Sequence, residues 1–327
     1  AEIVTDVDAA SATHDAGLHG VAYWEVLGWT DAKWADGGRA AVERQLGVIP
    51  EPPAVGISPH AIYSLDTGVL RDLADLARTL GVRQHIHAAE SAWEDAYVRS
   101  GTGDLAERWR QAGRGDFALL RDGGVGHGVI AYLDSVGALS PTTHLAHVIY
   151  VDADDRRMLR ERGVSVALCP RSNAVIGLDQ PPIAAYLAEN NAISVGTDSL
   201  SSSPSLNLLH DVAALHRIAR AQGYAEDDLH QRLFTAATAG GARALGLDTA
   251  HGPRVAPTGR HPGADDDQSP QVTGPTGVLR AGYRADLAVF PVGSSDPRDA
   301  LAELVESPPE AATATYVGGI LRHRLHA

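Results

Sequence analysis

Three histidines and one aspartate stand where short apolar segments of the sequence end. His60 ends AVGISPH, His87 ends VRQHIH, His147 ends HLAH and Asp198 ends AISVGTD. In a parallel α/β barrel the carboxyl ends of the strands meet at one mouth, where the sites of this fold lie. A ring of imidazoles and a carboxylate suits a hydrolytic Zn²⁺ or Fe²⁺ that keeps one position open for water. A single histidine would more often be structural, but four such coincidences favour a metal centre.

The segment HIHAAES adds a further candidate, Glu90, three residues after His87. Its carboxylate would lie within reach of a substrate while His87 faces the metal, and it could transfer protons between water and substrate. The alternative is that Glu90 only caps the helix that follows, a contribution of up to about 1 kcal/mol. We favour the catalytic interpretation. For His85 we expect a structural role, with its imidazole facing the helix layer.

The elements that would position these residues alternate between strands and helices. Apolar and β-branched runs predict strands at residues 2–7, 20–28, 54–58, 82–87, 144–149, 164–169 and 192–197. Apolar residues that recur every three or four positions predict helices at 67–81, 152–163 and 181–191, with two or three more after Asp198. This alternation predicts an α/β fold with a parallel sheet, either doubly wound or closed into a barrel.

The composition changes towards the carboxyl end of the chain. Residues 249–276 are dense in proline, glycine and aspartate and have no apolar period, which predicts a disordered linker. Beyond it, GVLRAGYRADLAVFPV and ATATYVGGILRHR predict short strands. We therefore expect three parts: a barrel domain at 1–248, the linker at 249–276 and a small β-module at 277–327.

The charge balance excludes several classes of function. With 27 basic and 41 acidic residues the net charge is −14, so we expect no nucleic-acid partner and no membrane partner. No run approaches the ~20 apolar residues of a membrane span, and AEIVTDVD is not a signal peptide. The single cysteine excludes a disulfide framework and indicates a reducing compartment. We expect a cytoplasmic protein with a small-molecule substrate, and a homodimer stays open as its assembly.

Five segments taken together resemble a known family. SPHAIYS, HIHAAES, LAHVIYVD, LCPRSNAVIGL and VGTDSLSSSPSLNLLHD, in this order, resemble the amidohydrolase superfamily and its aminohydrolase branch. That branch contains adenosine, S-adenosylhomocysteine, guanine and aminodeoxyfutalosine deaminases and the triazine chlorohydrolases. The resemblance covers roughly residues 1–247 and 277–324. It implies a TIM-type (β/α)8 barrel with a small C-terminal β-sandwich module, and a metal-dependent hydrolytic deaminase as the activity.

The resemblance also implies a role for each candidate residue. His87 and Asp198 would bind one divalent metal, zinc or alternatively iron, and Asp198 would accept a proton from the attacking water. His147 would hydrogen-bond that water, and in some subgroups it binds the metal. Glu90 would protonate the ring nitrogen, and His60 would contact the substrate. Three residues of LCPRSN would line the pocket: Arg171, Ser172 and Asn173.

One departure from the family's pattern concerns its first strand. The superfamily carries a HxH motif there that supplies two metal ligands, and we find no equivalent in this sequence, since His87 is already placed. Only six full strands and a remnant are predicted, whereas closure of the barrel needs eight. We therefore expect an N-terminally shortened version of a longer protein. The alternative of another class is a metal-poor, non-catalytic remnant.

Two segments, LCPRSN and GVAYWEVLGW, look most like the aminodeoxyfutalosine deaminases of the futalosine route to menaquinone. We expect that substrate first, with adenosine, S-adenosylhomocysteine, guanine or a chlorotriazine as alternatives. Arg171 could pair with the benzoate of aminodeoxyfutalosine, or it could be an ordinary solvated loop arginine. Glu25 could contact ribose hydroxyls or lie at the surface. Cys169 is expected to be a buried strand-end thiol and not a nucleophile.

Overall fold

The structure is a computed structural model that describes residues 1–17, 19–249 and 274–325. The described residues divide into two compact units, Ala1–Val166 and a second unit that begins at Ala167. The predicted linker at 249–276 lies almost entirely outside the described residues. The predicted division into barrel, linker and β-module therefore stays a prediction.

Seven short strands form the larger sheet and follow one another in chain order. Their bounds are β1 Glu2–Val4, β2 Val21–Val26, β3 Ala54–Pro59, β4 Gln84–Ala88, β5 Thr143–His147, β6 Ser165–Leu168 and β7 Ala192–Val195. The pairings from β1 to β5 are parallel. Parallel strands in chain order, separated by helices, are the arrangement of a TIM-like α/β fold. The predicted strands are confirmed, with β1 as the short remnant.

Strand β1 is shorter than predicted because a helix begins directly after it. Asp6 is the N-cap of this helix, and its carboxylate accepts a hydrogen bond from Ala9 N at 2.8 Å. An aspartate at this position satisfies an N–H group that the first turn of a helix leaves unpaired. The helices of the first unit are α1 Val7–Asp15, α2 Asp31–Ala35, α3 Gly38–Leu46, α4 Thr67–Leu80, α5 Ala92–Ser100, α6 Gly103–Gln111, α7 Ala118–Arg121, α8 Val129–Ser135 and α9 Ala153–Glu161.

Helix α4 illustrates how the apolar period determines packing. Its buried residues follow one another at intervals of one to three positions and form one face of the helix: Val69, Leu70, Leu73, Ala74, Leu76 and Ala77. The helix ends at Gly81, whose φ of 68° lies in the left-handed region that glycine adopts without strain. The predicted helix at 67–81 is therefore confirmed.

The second unit is mostly helical and contains a small sheet. Its helices are α10 Pro170–Val175, α11 Ile183–Ala188, α12 Leu208–Ala221, α13 Leu229–Thr235, α14 Gly241–Leu245 and α15 Pro297–Glu306, with a π-helical turn at Ala236–Gly240. Strands β8 Leu287–Val289, β9 Ala314–Val317 and β10 Ile320–Arg324 pair antiparallel in the order β10-β9-β8. The predicted short strands are confirmed, whereas α15 was not predicted. No helix in the described ranges is both long enough and apolar enough to cross a membrane.

The strands that carry the candidate residues of the first unit have a fully buried core. Tyr23, Ile57, Ile86 and Leu145, one on each of β2 to β5, are 0% exposed. Strands this apolar are typical of parallel sheets whose faces are covered by helices. The carboxyl ends of the strands are thereby held rigidly, which fixes the polar residues that stand there.

Candidate active site

Three of the predicted site residues of the first unit come together at the ends of β3, β4 and β5. His60 directly follows β3, His87 is the penultimate residue of β4, and His147 is the last residue of β5. The ring centroids of His60 and His87 are 5.4 Å apart, and those of His87 and His147 are 5.5 Å apart. The parallel pairing of β4 with β5 places Ala88 opposite His147 and so brings the two strand ends level. The sequence pattern predicted this juxtaposition, and the structure shows it.

The orientation of His87 is fixed by a backbone group. Its Nδ1 lies 2.8 Å from the carbonyl oxygen of His60. A carbonyl oxygen only accepts, so Nδ1 must carry the proton and the Nε2 lone pair is left for another partner. Metal-binding histidines are held in this way, with one ring nitrogen donating to the protein and the other facing the ion.

The carboxylate of Glu25, which the sequence did not suggest as a metal ligand, lies beside two of these imidazoles. Glu25, His60 and His87 each offer one ligand atom, and these atoms all lie within 4.8 Å of one another. Burial raises the pKa of Glu25, and His87 partly offsets this effect. Burial, and secondly His87, lower the pKa of His60 to about 4, so its imidazole is neutral at pH 7. Two imidazoles and a carboxylate are a donor set that fits zinc.

The signal that could have identified Glu25 is its position near the end of β2. Its register partner on β3 is Ser58, two residues before His60. A glutamate at the same strand end as the histidines is a ligand candidate by the same argument that selected the histidines. Sequence reasoning placed Glu25 at a strand end but considered only contact with ribose hydroxyls or a position at the surface.

Glu90 lies beside His147. Oε1 of Glu90 is 3.5 Å from Nε2 of His147, whose side chain is 3% exposed. The alternative that Glu90 caps the following helix is not what the structure shows. Ser91 is the N-cap of α5, and its Oγ accepts from Glu94 N at 3.3 Å. The carboxylate of Glu90 is therefore not used by the helix.

A second glutamate, missed by sequence reasoning, holds the backbone of Glu90. Oε2 of Glu94 accepts a hydrogen bond from Glu90 N at 2.8 Å, and Glu94 is 0% exposed. Burial raises the pKa of Glu94 to about 8, and the nearby Glu90 carboxylate adds to this effect. The sequence signal for Glu94 is its position three residues after the N-cap Ser91. A glutamate at this position reaches back with its side chain to the start of the helix.

Backbone strain is concentrated at the strand ends that carry the candidate residues. Of the five non-glycine residues with positive φ in the described ranges, four follow or end β4, β5 and β7: Ala89, His147, Val148 and Asp198. Such conformations cost about 1–3 kcal/mol each and cluster at functional sites. In the first unit they are held by hydrogen bonds from Val148 N to Ala88 O and from Ile149 N to Ala89 O.

In the second unit, Asp198 follows β7 and is oriented by two hydrogen bonds. Oδ2 accepts from the hydroxyl of Ser172 at 2.7 Å, and Oδ1 accepts from Ser199 N at 2.7 Å. Ser172 is 0% exposed. Sequence reasoning placed Ser172 in the loop that lines a pocket, and the structure shows it holding the candidate metal ligand.

Arg171 is engaged within the second unit. Its Nη1 lies 3.4 Å from Oδ2 of Asp211, and its Nη2 donates to Ser205 Oγ at 3.0 Å. Its side chain is 14% exposed, so the alternative of a solvated loop arginine is wrong. Burial raises the pKa of the Asp211 carboxyl to about 6, and Arg171 partly offsets this effect. Cys169 is 5% exposed, which agrees with the predicted buried thiol. Asn173 is 0% exposed.

The predicted orientation of His85 is wrong. Its ring centroid lies 6.0 Å from that of His87 and 4.8 Å from that of His144, with the two Nδ1 atoms of His85 and His144 3.2 Å apart. Residues two apart on a strand point to the same face, because the side-chain period of a strand is two. His85 therefore shares the face of His87, one layer deeper in the core.

Comparison with known protein families shows the family to which this chain belongs. A family model described as "Amidohydrolase family" matches residues 6–252. The chain belongs to the amidohydrolase family. Among curated relatives, this amidohydrolase is 32% identical over 170 residues to a 5-methylthioadenosine/S-adenosylhomocysteine deaminase of Nitratidesulfovibrio vulgaris, covering 50% of the chain and 33% of the relative. It is 27% identical over 274 residues to an 8-oxoguanine deaminase of Pseudomonas aeruginosa, covering 82% of the chain and 49% of the relative.

Solved structures show the same fold. A Helicobacter pylori aminofutalosine deaminase in complex with methylthio-coformycin superimposes with a TM-score of 0.75 at 18% identity, covering 98% of this amidohydrolase and 71% of that chain. A Xanthomonas campestris adenosine deaminase with bound zinc superimposes with a TM-score of 0.69 at 20% identity, covering 98% and 64%. The amidohydrolase thus spans between a third and about half the length of the two curated relatives, and more of the solved chains.

Proposed function

We propose that this amidohydrolase is a metal-dependent hydrolytic deaminase that releases ammonia from an adenine-type nucleoside, with aminodeoxyfutalosine as the first candidate substrate. The observation that carries the proposal is the convergence of His60, His87, His147 and Glu90 at the ends of three neighbouring strands. The family match and the deaminases among the similar proteins support the reaction class.

The metal site is proposed to centre on His87. The resemblance adds Asp198 and His147 as further ligands, and the distances within the first unit add Glu25 and His60 as candidates. Zinc is the first ion to test, because imidazole and carboxylate ligands suit it, and iron is the second. When bound, such an ion supplies a water molecule whose pKa is lowered towards ~7.

The protein's own groups are proposed to handle the protons. Glu90 would donate a proton to the ring nitrogen next to the amino-bearing carbon, and its neighbour His147 would hydrogen-bond and orient the attacking water. Asp198 would take the proton of that water, with Ser172 holding its second oxygen in place. The water oxygen would bond to the amino-bearing carbon, and the C–N bond would then break. The proton held by Asp198 would pass to the leaving amino group, which departs as ammonia. Glu94 would keep Glu90 in position through the hydrogen bond to its backbone N–H.

The substrate is proposed to be an adenosine that carries a substituent at its 5′ position. The similar proteins include deaminases of 5-methylthioadenosine and S-adenosylhomocysteine and of aminofutalosine. These substrates share the adenine ring and differ in the 5′ group. Aminodeoxyfutalosine, which would place this chain in the futalosine route to menaquinone, is the first choice. 5-Methylthioadenosine and S-adenosylhomocysteine are the second, favoured by the curated relative that is 32% identical.

Ammonia release from a substrate panel tests the proposal. The zinc-loaded chain is incubated with aminodeoxyfutalosine, 5-methylthioadenosine, S-adenosylhomocysteine, adenosine, 8-oxoguanine and a chlorotriazine. For the chlorotriazine, chloride release is measured in place of ammonia. We expect release from at least one 5′-substituted adenosine. Glu90→Gln should lower kcat by roughly 10²–10⁴-fold, because a general acid–base group contributes this much. The matched control is Glu107→Gln, an exposed position on α6, which should leave the rate unchanged.

Two results would contradict the proposal. Release of ammonia from none of the purines, with zinc bound, would exclude the deaminase and favour the non-catalytic alternative. Release from an adenosine at an equal rate in Glu90→Gln and the parent chain would exclude the role of Glu90 while leaving the reaction class standing.

A further inference from the structure

Three helices of the second unit bring two histidines and a glutamate together, and the proposed deamination uses none of them. His216 lies on α12, His230 on α13, and Glu306 is the last residue of α15. The two imidazole rings are stacked, with centroids 4.9 Å apart and planes at 15°. Oε1 of Glu306 lies 2.6 Å from Nε2 of His230 and 3.7 Å from Nε2 of His216. One carboxylate oxygen thus faces both imidazoles.

The spacing of these atoms is that of a ligand set. The three ligand atoms all lie within 4.8 Å of one another. Zinc binds nitrogen and oxygen at ~2.0–2.1 Å in a tetrahedron, which separates its ligand atoms by about 3.4 Å. The separations from Glu306 to the two imidazoles, 2.6 and 3.7 Å, lie on either side of that value. A shift of under about 1 Å in a glutamate side chain would therefore make room for an ion.

One of the imidazoles has an unsatisfied nitrogen. Nε2 of His216 is buried and has no hydrogen-bond partner, since its 3.7 Å distance to Glu306 is too long for one. A buried polar atom without a partner costs about 1–3 kcal/mol. The hydrogen bond between His230 and Glu306 gives those two side chains a partner, but it provides none for Nε2 of His216. A cation between the three groups would satisfy it.

The exposure of the three side chains allows an ion and water to enter. The His216 side chain is 12% exposed, that of His230 23% and that of Glu306 50%. The imidazoles thus form a partly buried floor, and the carboxylate lies at the opening. Water could complete the coordination from the exposed side, as in sites with three protein ligands.

We propose that His216, His230 and Glu306 bind one divalent transition-metal ion, with zinc as the first candidate. Two imidazole nitrogens and one carboxylate oxygen favour Zn²⁺, Cu²⁺ or Ni²⁺ over Mg²⁺ or Ca²⁺, which prefer oxygen ligands. The ion would cross-link α15 to α12 and α13, across the 76 residues that separate His230 from Glu306. Its role is structural, because binding to the folded state alone stabilises that state.

The experiment compares metal content between the parent chain and variants of the full chain. Each protein is stripped with a chelator, loaded with zinc chloride, freed of excess metal by gel filtration and measured for zinc by mass spectrometry. The test variants are Glu306→Gln and His230→Gln. The matched control is His210→Gln. His210 lies on α12, like His216, and its Nε2 is 3.9 Å from the carboxylate of Glu310. It belongs to neither of the two clusters of three metal-ligating groups in the described ranges.

The parent chain and His210→Gln should carry one zinc equivalent more than Glu306→Gln and His230→Gln. The same difference should persist when His87→Ala is added to each protein, because His87 belongs to the proposed active-site metal. Zinc should also raise the thermal midpoint of the parent chain more than that of Glu306→Gln. Far-UV circular dichroism in the presence of chelator checks that the variants are folded. Because the Glu306 side chain is half-exposed, Glu306→Gln should disturb the fold less than His230→Gln.

Equal zinc content in the parent chain and Glu306→Gln, or an equal rise of the thermal midpoint in both, would overturn the proposal. The three residues would then be a hydrogen-bonded His–Glu pair with a stacked second imidazole. Neither result depends on deaminase activity, so the outcome is independent of the proposed function.

Discussion

Replacing the buried Glu94 by glutamine should stabilise the first unit in a pH-dependent way. Glu94 is 0% exposed, and burial raises the pKa of its carboxyl from 4.5 to about 8. Between these values the unfolded chain is ionised at this position while the folded chain keeps the proton. The folded state then binds more protons than the unfolded state, so the free energy of unfolding falls as the pH rises through this window.

The magnitude follows from the two pKa values. Each pH unit inside the window lowers the free energy of unfolding by about 1.4 kcal/mol. From pH 4.5 to pH 7 this amounts to about 3 kcal/mol, and the loss is complete above pH 8. Glutamine has the same shape and can accept the hydrogen bond from Glu90 N, but it does not ionise. The stability of Glu94→Gln relative to the parent chain should therefore increase with pH.

Tryptophan fluorescence provides the assay. The five tryptophans, Trp24, Trp29, Trp34, Trp93 and Trp109, all lie in the first unit. Urea unfolding followed by their emission therefore reports the unit that contains Glu94. We expect the difference in unfolding free energy between Glu94→Gln and the parent chain to rise by about 1.4 kcal/mol per unit between pH 5 and 7.5.

The control is Glu107→Gln, whose side chain is exposed and whose substitution should give a difference that does not change with pH. If the difference for Glu94→Gln were constant from pH 5 to 7.5, Glu94 would be ionised in the folded state, and the reasoning from burial would be refuted. A difference that fell with pH would mean that the ionised carboxylate stabilises the fold.

Three further outcomes are expected. Gly240→Ala should lower the thermal midpoint, at a cost of about 1–3 kcal/mol, because an added Cβ would lie 2.5 Å from the carbonyl oxygen of Ile193. Gly241→Ala is the matched control and should leave the thermal midpoint unchanged, because its Cβ would lie 4.0 Å from Ala236 O. Equal thermal midpoints for the two variants would contradict this prediction. Arg171→Ala should destabilise the chain by roughly 3–5 kcal/mol, since it leaves the buried Asp211 without its ion pair; an unchanged melting curve by circular dichroism would show otherwise. Stripping metal with dipicolinate should abolish deamination, and zinc should restore it; full activity of a chain shown to be metal-free would exclude metal dependence.

The sequence was informative about elements and about residues at strand ends. Seven runs rich in apolar and β-branched residues predicted seven strands, because strands buried on both faces of a parallel sheet are rich in such residues. His60, His87 and His147 could be selected because parallel strands in chain order bring their carboxyl ends to one edge. The same reasoning fixed α4, whose apolar residues form one face. These features depend on local periodicity, which is visible in a single sequence.

Side-chain neighbours separated by long stretches of chain could not be predicted in this way. Glu25 approaches His60 and His87 through the register of three strands, β2, β3 and β4. For Glu25 the distances of a few ångströms are set by how the strands pair and pack, and its neighbours in the sequence do not encode them. His85 is a different case, because residues two apart on a strand share a face and its position beside His87 follows from that local period. Glu94 lies four residues after Glu90, and its carboxylate reaches back from the first turn of α5 to the N–H group of Glu90, so a local pattern signals this contact as well.

The sequence by itself determined the alternating strands and helices, the family and the histidines at the strand ends, since these follow from hydrophobic period and motif. The tertiary structure alone decided which carboxylates meet those histidines, how Asp198 is oriented by Ser172, and that His216, His230 and Glu306 meet at all. The physical reason is that proximity between distant residues arises from packing and strand register, which depend on the whole folded chain.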